Sequence, residues 1–265
     1  MLLLPPVVIA AAIYGYIGAI AALSVLLGWR WWFDGRFSLR KFYGLMGWVP
    51  VCFALLAVFS GGRYLALFFA AACAGIAGEL LVSHAYHRFL GGPVWTYSYG
   101  ARSSGYTSTL NVLPWAFGGL LFQQLGLVAG LAWPTTAPVG QVIAVSGAAL
   151  GAGCLALWPL RRFTAAAAGR FSIAAFALFC APIGVVALAL TALCGPRYGL
   201  LMLAFSPLGF ITEYAYGRIM SLFFEEPLWR YQHLRIDHGH TSFVTLPLWA
   251  LGGLYFYLVA GLIGL

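Results

Sequence analysis

The sequence predicts an all-α polytopic membrane protein with about eight transmembrane helices in two four-helix repeats. Three observations predict this fold: the composition, the length of the apolar runs and an internal repeat. Of the 265 residues, 63% are hydrophobic and 8% are charged, whereas a soluble domain carries about 25% charged residues. This composition excludes a soluble enzyme, a disordered chain and a nucleic-acid-binding protein.

Eight apolar runs are long enough to cross a bilayer, because a membrane helix needs roughly 20 apolar residues. They lie near residues 5–28, 43–60, 64–88, 110–131, 139–160, 171–192, 198–222 and 244–264. No basic segment precedes the first run and no small-residue cleavage site follows it, so we expect a retained helix and not a signal peptide. The five cysteines are embedded in apolar runs, which is typical of small core residues and not of a disulfide framework.

The basic residues predict the orientation of the chain. Twelve of the fourteen Lys and Arg residues fall on one side of the predicted membrane, and only Arg63 and Arg197 fall on the other. The positive-inside rule assigns the larger set to the cytoplasm. We therefore expect an integral, multi-pass membrane protein with both termini on the non-cytoplasmic side, and we attribute the net charge of +8 to topology.

An internal repeat divides the chain into residues 1–131 and 135–265, two predicted four-helix membrane repeats. The copies match without a gap at a constant offset of 134 residues, which is the signature of a duplication. Because four is an even number of spans, both copies enter the membrane from the same side. The sequence therefore predicts parallel repeats about a pseudo-two-fold axis along the membrane normal, with a site at their interface. The matching segments include Gly35-Arg36-Phe37-Ser38 with Gly169-Arg170-Phe171-Ser172 and residues 93–120 with 227–254.

The strongest repeated pattern is an acidic residue in a span, then Pro-x-Trp-x-Tyr, then a Pro-Trp or Pro-x-Trp segment that ends in Gly-Gly-Leu. It occupies residues 79–122 and 213–256. This pattern resembles the small four-span membrane proteins of the CmpB-like, or ABC-transporter type IV, family. The resemblance implies a four-span unit that pairs, here as two fused copies, and implies little about activity. The second copy departs from the pattern because Pro247 lies one residue before the position that matches Pro114.

Glu79 and Glu213 are the strongest candidates for chemistry. An ionisable residue within a membrane helix is costly and usually faces a protein interior or a water-filled cavity. The two carboxyl groups lie at one depth, so at the interface they would share a proton or act as acid and base. The alternative is a structural tie to loop backbone amides or arginines. These alternative partners are the amides near Gly105 and Gly239, and the side chains of Arg102 and Arg235.

The loop after each acidic helix carries repeated aromatic and hydroxyl residues. Trp95 and Tyr97 recur in register with Thr107 and Ser108, which a loose interfacial belt would not require. We therefore predict a tightly packed or re-entrant loop whose Thr-Ser hydroxyls cap the following span. The Gly-Gly pairs that follow Trp115 and Trp249 predict that these indoles pack at a close helix crossing.

The histidines occupy different positions in the two copies, which indicates specialisation. His84 and His87 share one helix face and join the two glutamates as candidate catalytic residues. One hypothesis is a zinc or iron ion, since three N or O ligands with an open position form a catalytic site. The alternative is that the imidazoles hydrogen-bond to loop backbone or lipid phosphate. The candidate metal ligands are His84, His87, Asp237, His238 and His240.

A mixed-charge run in the second loop, residues 225–237, has two readings. One is a solvated ion-paired loop, and the other is contact with a lipid headgroup or a partner. No Walker motif, dinucleotide loop or nucleophile elbow is present, so ATP hydrolysis by this chain is unsupported.

Three functions follow from these residues. The first is an enzyme that modifies a lipid or isoprenoid substrate by acid/base or metal-assisted chemistry. The second is a transporter or channel for a cation, a proton or a small molecule. The third is a non-catalytic subunit of a membrane complex. Membrane lipids are the expected partners, and further oligomerisation is left open.

Overall fold

The computed structural model describes residues 22, 35–102, 105–132, 137–164 and 170–265. The predicted span at 5–28 lies, apart from Ala22, outside the described residues. The helices are α1 (Leu39–Met46), α2 (Trp48–Ser60), α3 (Arg63–Leu90), α4 (Val112–Ala132), α5 (Val139–Leu157), α6 (Ile173–Leu193), α7 (Pro196–Met220) and α8 (Thr245–Ile263). The short strands are β1 (Trp95–Tyr97), β2 (Ala101–Arg102), β3 (Thr107–Ser108), β4 (Trp229–Tyr231), β5 (Arg235–Ile236) and β6 (Thr241–Ser242).

Six segments of the described chain are long and apolar enough to span a membrane. They are Leu39–Ser60, Arg63–Leu90, Thr109–Gly130, Val139–Phe163, Ile173–Leu193 and Thr245–Ile263. Helix α7 has sufficient length at 25 residues but carries Arg197, Glu213 and Arg218. These segments support an integral, multi-pass membrane protein, and they agree with the predicted spans to within a few residues. The predicted span 43–60 begins earlier and is two helices, α1 and α2, that meet at Gly47.

The repeated Gly-Arg-Phe-Ser segment caps a helix in both copies. The Ser38 Oγ accepts a hydrogen bond from the Lys41 backbone N–H at 3.3 Å, and the Ser172 Oγ accepts one from Ala175 at 3.1 Å. An N-cap hydroxyl satisfies a backbone donor at the start of a helix. The phenylalanine before each serine stacks on the loop of its own copy, Phe37 on Tyr99 at 4.0 Å and Phe171 on His233 at 4.2 Å.

Strands β1 and β4 join the two long loops, 91–111 after α3 and 221–244 after α7. They pair antiparallel, with Thr96 opposite Arg230 at the centre of the register. The Ser98 N–H donates to the Leu228 carbonyl at 3.0 Å, and the Gln232 N–H donates to Val94 at 3.1 Å. Two further antiparallel pairs, β2 with β3 and β5 with β6, fold each loop back on itself. The loops are therefore ordered by backbone pairing.

Indole and phenyl rings fill the space between the helices below the loops. The Trp115 and Trp249 rings lie 5.7 Å apart, and the Phe122 and Phe256 rings are stacked at 6.0 Å. Each indole packs directly on a helical glycine. A Cβ atom at Gly75 would lie 2.2 Å from the Trp115 Cγ. The predicted packing role of the two tryptophans at close helix crossings is confirmed.

Two arginines tie the helices together at the opposite end of the bundle. The Arg63 Nη1 donates to the Gly264 carbonyl at 2.8 Å, just beyond α8. The Arg197 Nη2 donates to the Gly126 carbonyl in α4 at 3.0 Å and to the Tyr257 hydroxyl at 2.8 Å. A cation near the last turn of a helix interacts favourably with the carbonyl dipoles there. Both contacts join residues that are far apart in the sequence.

Candidate functional site

The carboxylate of Glu79 lies in α3 with its side chain 5% exposed. The Tyr97 hydroxyl donates a hydrogen bond to Oε1, and the Thr107 hydroxyl donates to Oε2 at 2.6 Å. The Asn111 amide donates to both oxygens, at 2.8 and 2.9 Å. Both carboxylate oxygens are therefore held by side chains from β1, β3 and the turn before α4. Such a network rigidifies the site when every member is satisfied.

Glu213 in α7 has a related but different set of donors. The Tyr231 hydroxyl donates to Oε1, and the Thr241 hydroxyl donates to Oε2 at 2.7 Å. The Trp249 Nε1 also donates to Oε2, at 3.3 Å. The position that matches Asn111 is Thr245, whose hydroxyl donates to the Ser242 carbonyl at 2.8 Å instead. Glu213 is partly exposed, whereas Glu79 is buried.

The donors to each glutamate are side-chain groups and not the ones expected from the sequence. We expected the backbone amides near Gly105 and Gly239 or the arginines of the loops. The structure places tyrosine and threonine hydroxyls there, at the same sequence distances of 18 and 28 residues from each glutamate. The signal in the sequence was that the tyrosine and threonine recur in register with the glutamate. Asn111 and Thr245 occupy matching positions but are different residue types, so the repeat did not mark them as candidates.

Two buried indoles hold the loops in place around the carboxylates. The Trp95 Nε1 donates to the Tyr106 carbonyl at 3.2 Å, and the Trp229 Nε1 donates to the His240 carbonyl at 3.0 Å. The tightly packed loop predicted from the repeated aromatic residues is confirmed. The predicted capping is confirmed for Ser108, whose hydroxyl accepts from the Leu110 N–H at 3.2 Å at the N-cap of the turn that leads into α4. It is wrong for the second loop: Ser242 accepts from the Val244 N–H at 3.2 Å, but α8 begins without a side-chain cap.

The pKa values of the Tyr97 and Tyr231 hydroxyls depend on burial and on the charges of both carboxylates. Burial raises the pKa of the Tyr97 hydroxyl well above its usual range, and the charges of Glu79 and, to a smaller extent, Glu213 raise it further. Burial likewise raises the pKa of Tyr231, with Glu213 the larger electrostatic contribution and Glu79 a smaller one. Both hydroxyls therefore keep their protons and act as donors at neutral pH. The two sets are electrostatic neighbours.

The first pair of histidines lies on the surface at the end of α3. His84 and His87 are both exposed. The His87 Nδ1 is hydrogen-bonded to the Tyr106 hydroxyl at 2.8 Å, and the His84 ring lies edge-on to the Tyr106 ring at 5.5 Å. Neither histidine is among the hydrogen-bond donors to Glu79 in the described part of the chain. The proposed catalytic role of these two histidines thus has no geometric support from the donors around that carboxylate.

The remaining candidate ligands lie in the second loop. Asp237 forms an ion pair with Arg218 at 3.0 Å and contacts His238 at 3.6 Å, while His240 is buried. Among the described residues, no group of three or more His, Cys, Asp or Glu side chains is placed to hold a metal ion. Because all five predicted ligands are described, we assign no zinc or iron ion to them.

His233 joins the second loop to α3, a role that was not expected from the sequence. Its Nδ1 is hydrogen-bonded to the buried Tyr86 hydroxyl of α3 at 3.0 Å, and its ring stacks on Phe171. Burial lowers the pKa of the His233 imidazole. The second loop is thereby attached to the acidic helix of the first copy. The matching residue of the first loop, Tyr99, stacks on Phe37.

No family model, curated protein or solved structure matches this chain. The CmpB-like resemblance therefore stays a prediction that rests on the repeated motif. The two carboxylate sets and the loops around them are the features that bear on function, because a fold by itself does not define an activity.

Proposed function

We propose that the chain is a membrane-embedded enzyme acting on a lipid or isoprenoid substrate, with Glu213 as the acid/base group. The difference between the two carboxylates carries this proposal. Both carboxylates have donors on both oxygens, but Glu79 is buried and accepts four hydrogen bonds, whereas Glu213 is partly exposed and accepts three, without the amide donor that Asn111 supplies to Glu79. A general acid or base must come within hydrogen-bond reach of its substrate. Glu213 satisfies this condition better than Glu79, to which we assign a structural role.

The donors around Glu213 suit acid/base chemistry. The Tyr231 and Thr241 hydroxyls fix the orientation of the carboxylate through one hydrogen bond to each oxygen. The buried Tyr231 hydroxyl keeps its hydrogen bond to Oε1, so the carboxylate itself is the group that reaches the substrate. The indole of Trp249 supplies an apolar wall beside the same carboxylate. We give Tyr231, Thr241 and Trp249 positioning roles.

An apolar substrate has a route to this site from the bilayer. Helix α7, which carries Glu213, exposes Leu203 and Ile211, the latter at 59%. Phe243, 56% exposed, stacks with Phe210 of the same helix at 5.9 Å. Exposed apolar side chains on a membrane helix face lipid, so a substrate dissolved in the bilayer approaches α7 laterally. The proposed substrate class follows from this exposure.

We further propose that the copies 1–131 and 135–265 are parallel repeats related by a pseudo-two-fold axis. Contacts between matching positions support the axis, because a two-fold axis brings equivalent residues together. Thr96 lies opposite its repeat mate Arg230 in the strand pairing. Trp115 contacts its repeat mate Trp249, and Phe122 contacts its repeat mate Phe256. On this arrangement one copy keeps a structural carboxylate and the other a reactive one.

Glu213→Gln is expected to reduce the activity by about 100-fold, the usual contribution of a general acid or base. The amide keeps the size of the side chain and an acceptor oxygen but cannot exchange a proton. The measurement is mass spectrometry of the lipids extracted from membranes of a host that expresses the wild type, each variant or no protein. We expect lipid species that change with the wild type to revert with Glu213→Gln.

Ser221→Ala is the matched control at the residue that ends α7, because Ser221 is partly exposed and its hydroxyl donates to the Arg218 carbonyl and not to the Glu213 set. It should leave the lipid change intact. The proposal fails if wild-type expression changes no lipid species, or if Glu213→Gln changes the lipids as the wild type does. Thermal unfolding of each purified variant separates lost activity from lost folding.

A proton transporter is the second candidate, and the contact between the two carboxylate sets favours it. Tyr97 and Tyr231, which donate to Glu79 and Glu213, lie in the paired strands β1 and β4, and neighbouring proton-binding groups within a membrane protein are typical of a proton pathway. On this candidate, proton flux into liposomes is present with the wild type and is lost with either Glu79→Gln or Glu213→Gln. Liposomes in which wild-type protein carries no flux would exclude it.

A further inference from the structure

A group of charged side chains lies directly above Glu213 at the loop end of α7. We call it the loop cap and define it as Arg218, Arg230, Asp237, His238 and His240. The His240 ring packs on Gly217, one helical turn after Glu213, where a Cβ atom would lie 2.8 Å from the His240 Cβ. The next residue, Thr241, donates to Glu213. The loop cap and the Glu213 set are thus adjoining parts of one structure.

One carboxylate arranges the basic groups of the loop cap. The Asp237 carboxylate pairs with Arg218 at 3.0 Å and with His238 at 3.6 Å, and it accepts a hydrogen bond from Tyr214 at 3.4 Å. The His238 and His240 rings lie 6.4 Å apart. The stem of Arg230 packs over Gly239, with its Cγ 2.8 Å from where a Cβ would lie. Arg218 offsets the charge of Asp237, so Arg230 leaves the cap net positive.

His240 is the residue of the loop cap whose ring makes no hydrogen bond to its protein neighbours. Neither ring nitrogen is hydrogen-bonded to another described residue, although the backbone N–H and carbonyl of His240 are. The residue is 3% exposed, and its ring nitrogens are not among the fully buried polar atoms of the described residues that lack a partner, so they can be reached from outside. The imidazole is therefore available to a ligand that reaches the cap.

The backbone of the same loop is held in an uncommon conformation. Leu234, Asp237 and His238 have positive φ angles of 43, 39 and 38°. Non-glycine residues adopt this region rarely, and strain of this kind clusters at ligand sites. The first copy has Gly100 at the position of Leu234. The second loop thus tolerates strain that places the charged groups of Asp237 and His238 over α7.

The basic groups are specific to the second copy. The residues at the matching positions of the first copy are His84 for Arg218, Thr96 for Arg230 and Tyr106 for His240. The first copy therefore lacks both arginines of the cap. The basic groups and the accessible carboxylate occur in the same copy, which indicates that they serve one ligand.

We propose that the loop cap binds the phosphate group of a phosphorylated lipid whose apolar chain lies along α7 beside Glu213. Guanidinium and imidazole N–H groups are the donors that recognise phosphate oxygens. The exposed side chains of Leu222, Leu234 and Phe243 surround the cap with apolar surface for the chain. The direction of the chain rests on the proposed function, whereas the phosphate site rests on the cap alone.

The test is the binding of farnesyl phosphate and farnesol to the purified full-length protein in detergent, measured by microscale thermophoresis. These probes differ only in the phosphate group. We expect the wild type to bind farnesyl phosphate at least about tenfold more tightly, since a hydrogen bond to a charged group contributes that much or more. Arg218→Gln and Arg230→Gln should each weaken farnesyl phosphate about tenfold and leave farnesol binding unchanged.

Arg235→Gln is the matched control, because Arg235 is exposed, lies in the same loop and is not among the charges that act on His240. It should retain farnesyl phosphate binding. The inference is overturned by equal binding of the two probes, by equal losses with Arg235→Gln and Arg230→Gln, or by competition from inorganic phosphate at concentrations similar to the lipid. The last result would identify the ligand as a free anion.

Glu213→Gln separates this inference from the proposed function. Farnesyl phosphate binding that survives in this variant, with the lipid change lost, supports both. If Arg230→Gln loses farnesyl phosphate binding but Glu213→Gln changes the lipids as the wild type does, the phosphate site is supported and the acid/base role is rejected. If Arg230→Gln keeps farnesyl phosphate binding but Glu213→Gln loses the lipid change, the phosphate site is rejected and the acid/base role stands.

Discussion

Glu79→Ala is expected to lower the free energy of unfolding by about 3–5 kcal/mol, because it leaves several buried donors without an acceptor. The Tyr97 hydroxyl, the Thr107 hydroxyl and the Asn111 amide all donate to this carboxylate. They come from β1, β3 and the turn before α4, so one substitution releases three attachments of the first loop. The measurement is the thermal unfolding of the detergent-purified protein, followed by intrinsic tryptophan fluorescence.

Two further variants test whether the stability loss of Glu79→Ala comes from the released hydrogen-bond donors. Glu79→Gln keeps one acceptor oxygen and the side-chain volume, so its loss should be smaller than that of Glu79→Ala. Glu213→Ala should cost less, about 1–2 kcal/mol, since Glu213 is partly exposed and accepts three hydrogen bonds where Glu79 accepts four. Equal losses for Glu79→Ala and Glu213→Ala would contradict the division into a structural and a reactive carboxylate.

The membrane helices follow from the sequence because the bilayer fixes the length of an apolar run. The predicted run 64–88 is the helix Arg63–Leu90. Helix starts are less predictable: α1 begins at Leu39 because Ser38 caps it, although the residues that follow include the charged Arg40 and Lys41. Hydropathy alone starts that span later, since the cap is a local hydrogen bond that an average over many residues does not detect.

The sequence predicts only those residues of the candidate site that recur in both copies. Glu79, Glu213 and the repeated aromatic loop were all visible as matching positions. Tyr97 and Thr107 recur as well, but their hydrogen bonds to Glu79 do not follow from spacing: alternate residues share one face only in a strand, and the sequence predicts a loop there. Tyr97 reaches Glu79 from such a strand, two residues after Trp95.

The difference between the copies depends on side-chain reach, which spacing does not encode. In the sequence, Asn111 and Thr245 are a single mismatch between repeats. In the structure, the longer amide contacts both oxygens of Glu79, whereas the shorter hydroxyl turns to a backbone carbonyl. The candidate metal ligands show the converse. Residues of suitable type lie near one end of the bundle, yet they do not converge.

The indole under each carboxylate is held by a helical glycine, and replacement of that glycine is expected to have the second large effect on stability. In Gly75→Ala the new Cβ would lie 2.2 Å from the Trp115 Cγ, and neither the helix backbone nor the half-buried ring, which packs against the core, can yield easily. We expect a loss of about 3 kcal/mol, at the upper end for an overpacked core. Thermal unfolding measures it.

Gly78→Ala is the matched control on the same helix, because nothing lies within 4 Å of its added Cβ. It should be neutral or stabilise the protein by up to about 1 kcal/mol through helix propensity. Gly209→Ala separates stability from function, since its Cβ would lie 2.4 Å from the Trp249 Cγ and displace the indole that donates to Glu213. We expect Gly209→Ala to reduce activity beyond its effect on stability and Gly75→Ala to reduce stability alone. A Gly75→Ala variant as stable as Gly78→Ala would contradict the close packing of Trp115 on α3.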